Sequence, residues 1–82
     1  MNRGGYIPEI KARLGARIRQ RRKAQGLTQE KLGMMVGIDR SYIVSIERGG
    51  RNITLETMVR ISEGLGTTLS ELLDHIEEPS EQ

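Results

Sequence analysis

Apolar residues recur along this chain at helical spacing, and no stretch alternates as a strand would. Ile10, Leu14, Ile18 and, one turn on, Arg22 share a face at spacing four. This predicts a first helix from Pro8, whose missing N–H costs nothing in a first turn, to near Gln25, with Gly26 as its cap. Gly15 weakens that helix by about 1 kcal/mol relative to Ala unless something packs closely on it. Thr28 is the expected N-cap of a second helix through Val36, with Leu32, Met35 and Val36 turned inward. Gly37 supplies a left-handed turn residue and Ile38 plugs the core. Asp39 caps a third helix to about Arg48, which Gly49 and Gly50 end. After a loop, Thr54 caps a fourth helix with Leu55, Met58, Val59 and Ile61 on its apolar side, broken by Gly64 and Gly66. Thr68 and Glu71 fit a capping box that opens a short fifth helix carrying Leu69, Leu72 and Leu73. The expectation is an all-α, compact five-helix bundle over residues 9–75. A flexible arm over 1–8 precedes it and an acidic tail over 76–82 follows.

Eighty-two residues with no Phe, Trp or Cys allow one small core of Leu, Ile, Val and Met, with no disulfide to staple it. Without cysteine the chain carries no signal of redox compartment. No apolar run approaches the roughly 18 residues that cross a bilayer, and MNRGGYIPEI lacks the apolar stretch of a signal peptide. A soluble, cytoplasmic protein with no membrane partner is the expectation.

Net charge is only +2, but its distribution is uneven. All 13 Lys and Arg lie in residues 1–60 beside five acids, for a net +8, and residues 61–82 hold the other six acids and no base, for a net −6. Such segregation suits one face for a polyanion and one that avoids it; a solvated basic helix with a solubilising acidic tail is the plainer alternative.

No catalytic set stands out. His75 is the only histidine, so a metal would need carboxylates, and Glu77, Glu78 and Glu81 fall in the expected tail. The Gly64–Leu65–Gly66 pair follows no strand and is not a phosphate-binding fingerprint. Neither an enzyme, a cofactor nor a metal is expected.

The stretch TQEKLGMMVGIDRSYIVSIERG, residues 28–49, is more informative. Two short helical patterns meet at Gly37. A small residue is needed where they nearly touch, and Gly33 meets that need. Four residues later the turn requires a positive φ, which Gly37 adopts without steric cost. Ile43 packs beneath the second helix, whose outer face is polar. This is a helix-turn-helix signal. With LGARIRQRRKAQGLTQEKLG before it and RISEGLGTTLSELL after it, the chain resembles the Cro/repressor-type, or Xre, family over roughly residues 12–74. The resemblance implies a lambda-repressor-like bundle that binds double-stranded DNA as a homodimer with its third helix in the major groove, to repress or activate transcription. This length resembles the small stand-alone regulators, including controller proteins of restriction–modification systems. Gly33 stands where Ala is usual, Ile53 where Pro often follows, and Val44 where Ser is common.

Carried over position by position, the resemblance implies that Arg40, Ser41, Val44 and Ser45 face the bases. Arg40 can grip guanine O6 and N7 with its planar fork; contact with phosphate alone is the alternative. Thr28, Gln29, Tyr42, Arg51 and Asn52 fall at positions that meet the DNA backbone, although Thr28 is mainly a cap, Gln29 also buttresses the recognition helix and Tyr42 can equally be a core edge. Arg22 and Glu47 correspond to a semi-buried ion pair that is structural. The basic run Arg17, Arg19, Arg21, Lys23 reads as a solvated helix face with one or two phosphate contacts, and Arg3 as a candidate for a minor groove. Leu69, Leu73 and Ile76 are the expected dimer interface, with simple core packing as the alternative. Two rival readings remain: an antitoxin that also binds a toxin partner, and an adaptor that has lost DNA binding.

Overall fold

Four side chains start four of the helices. Thr28 Oγ1 accepts the Lys31 N–H at 3.0 Å, Asp39 Oδ2 the Ser41 N–H at 2.9 Å, Thr54 Oγ1 the Thr57 N–H at 3.1 Å and Thr68 Oγ1 the Glu71 N–H at 3.0 Å. Each satisfies a donor that a helix start leaves unpaired. Glu71 returns the favour at Thr68, so the expected capping box is complete. The computed structural model describes residues 3–78, in the order α1 (Arg3–Ala24), α2 (Gln29–Val36), α3 (Arg40–Glu47), α4 (Leu55–Gly64) and α5 (Leu69–Leu72). The described residues form an all-α bundle, as the spacing predicts.

Helix α1 begins at Arg3, ahead of the expected start at Pro8, so residues 3–8 are helical where an arm was expected. Pro8 lies in the second turn and withholds one N–H from the ladder, a loss that falls near the helix end. Tyr6 donates its hydroxyl to the Glu77 carboxylate, which ties this extension to the C-terminal turn. Arg13 and Arg17 reach the same region, donating to the carbonyls of Ile76 at 3.1 Å and of Leu72 at 3.1 Å. Cations placed on the open carbonyls after α5 are favourably sited.

The core is aliphatic. Ile18, Leu32, Ile43, Ile61 and Leu72 are fully enclosed, and Leu14, Ile46, Leu65 and Ile76 complete the cluster. Three expected inward residues lie outside it: Met35, Leu55 and Val59 are exposed. Their helices carry an apolar stripe wider than the surface their neighbours cover.

Gly15 is a contact, not a defect. A Cβ there would fall 2.7 Å from the carbonyl oxygen of Glu47 and closer still to that of Ile46, so α1 and α3 touch backbone to backbone. Gly64, expected as a breaker, is the last residue of α4, and a Cβ on it would strike Val36 of α2. Gly66, at φ +69°, makes the turn instead. Gly15→Ala is therefore expected to destabilise by about 1–3 kcal/mol, as overpacking does, against the gain that Ala brings to an open helix site. Chemical denaturation measures it, and a stabilised variant would rule the contact out.

Candidate nucleic-acid interface

Helix α2 ends at Gly37, which at φ +72° turns the chain and donates its N–H to the Gly33 carbonyl. The Ile38 N–H bonds the same oxygen at 2.9 Å. A Cβ on Gly33 would run into the Ile38 carbonyl, so the small residue is required by the turn itself. Asp39 then starts α3. Ile43 and Ile46 are buried beneath it, which sets the rotation of the helix and turns Arg40 and Ser41 out to solvent.

The ion pair expected from Arg22 and Glu47 is present and enclosed, with side chains 8% and 3% exposed. Arg22 Nε donates to Glu47 Oε2 at 2.7 Å and Nη2 to Oε1 at 2.9 Å, while Nη1 reaches the Leu27 carbonyl at 2.8 Å. The Glu47 carboxylate bonded to it raises the Arg22 guanidinium further above its ordinary value. Gln29 Nε2 also donates to Glu47 Oε1, at 3.1 Å. One carboxylate on α3 therefore receives a side chain from α1 and another from α2. Gln29, expected both at the DNA backbone and as a buttress of this helix, has its amide nitrogen engaged in fixing α3.

The remaining candidates fall into groups. Arg40 is exposed and Val44 half-buried beside it; both line one concavity with Gln29 and Glu47. Ser41 is exposed, but its hydroxyl donates to Asp39, so it offers a base an acceptor more readily than a donor. That hydroxyl, followed by the Ser41 N–H, holds the Asp39 carboxyl below the usual carboxylate range. Ser45 is half-buried. Tyr42 packs against the core at its edge, and the Arg51 guanidinium lies 4.8 Å above its ring. Asn52 and Thr28 are exposed. Of the expected dimer residues, Leu69 and Leu73 are half-buried, but Ile76 is only 8% exposed within the single chain. His75, at φ +55°, turns the backbone so that Ile76 faces inward, and it belongs to the core. Arg3 and the acidic Glu81 lie outside the residues whose side chains are described.

Two residues that were not among the expected contacts of the third helix line the same concavity as Arg40 and Val44. Arg48 follows Arg40 and Val44 at spacing four along α3, a periodicity visible in the sequence. Arg19 comes from α1, one turn beyond Gly15, and only the backbone contact there brings it alongside.

Comparison with known proteins agrees with this geometry. The helix-turn-helix family HTH_3 matches residues 18–72. The control protein C.MunI of a Mycoplasma species is 44% identical over 70 residues, which span 84% of this chain and 95% of that protein. The control protein C.BamHI of Bacillus amyloliquefaciens is 39% identical over 66 residues, 79% of this chain and 82% of that one. Among solved structures, the restriction-modification controller protein C.AhdI from Aeromonas hydrophila superposes with a TM-score of 0.73 at 39% identity, covering 74% of this chain and 92% of that chain. No helix among the described residues is long and apolar enough to cross a membrane. The chain belongs to the helix-turn-helix family of Cro/repressor (Xre) type, and is a DNA-binding transcriptional regulator, not an enzyme.

Proposed function

We propose that the protein binds double-stranded DNA as a homodimer, with α3 of each copy in the major groove, and acts as a controller of the restriction–modification type. The observation that carries this reading is the division of α3 into an inner face fixed by Ile43, Ile46 and Glu47 and an outer face on which Arg40 and Ser41 are exposed. A helix of this size fits the major groove, where base edges are distinguishable. Arg40, Ser41, Val44 and Ser45 read bases; Thr28, Tyr42, Arg51 and Asn52 position the protein on the backbone. The likeness to controller proteins over nearly their whole length supports the regulatory role.

The dimer surface is assigned to α4 and α5. Leu55 and Val59 stay exposed one turn apart on α4, and Leu73 lines an apolar groove of about 640 Å³ with Ile10, Ile53 and Met58. Ile76 also lines this groove, but as a core residue only 8% exposed it offers a partner little surface. Selection of duplexes from a random pool is expected to return a pseudo-palindrome whose half-sites lie about 34 Å apart. Sedimentation is expected to give twice the chain mass, and Val59→Glu to give the single chain. Equal retention of random and enriched duplexes would reject sequence-specific binding, and a monomer at every concentration would reject the dimer.

A further inference from the structure

We propose that Arg19 and Arg48 together hold one phosphate of the DNA backbone, which makes α1 part of the DNA interface. This rests on the reading that α3 faces DNA. The two residues line a concavity of about 350 Å³ with Gln29, Arg40, Val44 and Glu47. Arg40 opens α3 and Arg48, the C-cap of that helix, follows two turns on, while Arg19 approaches from α1.

The charge of this hollow is one-sided. Glu47 at its floor is neutralised by Arg22. Among the described residues, none of Arg19, Arg40 and Arg48 forms an ion pair, in contrast to Arg13, Arg22 and Arg60. Three arginines therefore line one small open space, and none of them is ion-paired to the single carboxylate there, that of Glu47. Such an arrangement is costly by like-charge repulsion and suits an anion with several acceptor oxygens, which planar forks grip two at a time. With Arg40 directed to the bases, the two flanking arginines are left for the phosphate next to the groove.

The fold explains why Arg19 is available. Gly15 lets α1 lie directly on the C-terminal end of α3, and Arg19 is the next residue on that face of α1. A Cβ on Gly49 would also fall 3.0 Å from the Ala12 Cα, so the chain following Arg48 is seated on α1 as well. Both arginines are exposed, so replacing them leaves the core untouched.

The test uses Arg19→Gln, Arg48→Gln and the double variant on two duplexes, one selected by the protein and one scrambled. Each variant is expected to weaken binding to both duplexes by the same factor. The double variant, which removes one clamp from each half-site of the dimer, is expected to flatten the slope of log K against log salt by about 1.8, the value of two phosphates. A methylphosphonate at a single backbone position is expected to weaken the wild type and leave the double variant unaffected. Weakening confined to the selected duplex would make these residues base readers and overturn the clamp. So would a slope change of about 3.6, the value of two phosphates per half-site, or no change at all, in variants that melt like the wild type. If the wild type binds the scrambled duplex but selects no sequence, the sequence-reading role of α3 fails, while the clamp is still judged on the scrambled duplex.

Discussion

Glu47→Gln is expected to cost about 3–5 kcal/mol, because it leaves the Arg22 guanidinium enclosed without a countercharge. The substitution is nearly isosteric, so no cavity forms. What changes is that an amide nitrogen now faces donors: Arg22 Nε and Nη2 on one side and Gln29 Nε2 on the other. At least one of them loses its acceptor. A domain of this size is stable by roughly 5–15 kcal/mol, so a large share of its stability goes at once. At about 4–8 °C per kcal/mol, the melting temperature falls by tens of degrees. Thermal unfolding followed by circular dichroism measures this directly. Replacing both partners with apolar residues, as in R22M/E47L, is expected to recover part of the loss, because the stranded charge is gone. An unchanged melting temperature for Glu47→Gln would refute the account.

The second large effect falls on DNA and leaves the fold alone. Arg40→Ala removes an exposed side chain with no structural partner, so melting is expected to stay unchanged. Affinity for the selected duplex is expected to fall by about 1–3 kcal/mol per half-site. Two half-sites give about 2–6 kcal/mol, a loss from roughly thirtyfold upward. On a scrambled duplex the loss is expected to be small, so the ratio of the two affinities collapses. That separates Arg40 from Arg19 and Arg48, whose removal lowers both affinities together. Quantitative gel shifts at fixed salt decide it, and an equal loss on both duplexes would reduce Arg40 to a phosphate contact.

The caps and turns of this fold were legible because their causes are local. Thr28, Asp39, Thr54 and Thr68 each bond a backbone N–H two or three residues on, and Gly37 answers a φ set by two neighbouring residues. Arg22 and Glu47 were legible through family resemblance, since nothing in their local sequence predicts that they meet. What escaped depends on how helices cross. Met35, Leu55 and Val59 match their helical stripes but sit at the edge, where no neighbour covers them. Ile76 turns inward because His75 adopts a left-handed conformation, which a histidine does not announce. Pro8 has the chemistry of a helix start, yet the helix passes through it because one missing N–H near an end is a small loss. That Arg19 lies beside Arg40 and Arg48 escaped for the same reason as the edge residues: the contact is made across helices at Gly15, and the sequence shows a small residue there without showing what packs on it.

The absence of a side chain at Gly15 has a consequence for how the protein meets its target. Where two helices rest on each other through side chains, rotamer changes let one slide or tilt. Here peptide planes meet directly, and no rotamer lies between them to yield. The reading helix is thus offered to DNA already in its final pose, and little conformational entropy remains to be lost when it docks. In the proposed dimer, the adjustment that brings two such rigidly held helices into register then falls to the duplex. Base pairs the protein never touches, between the half-sites, acquire an influence on affinity through how readily they bend and twist.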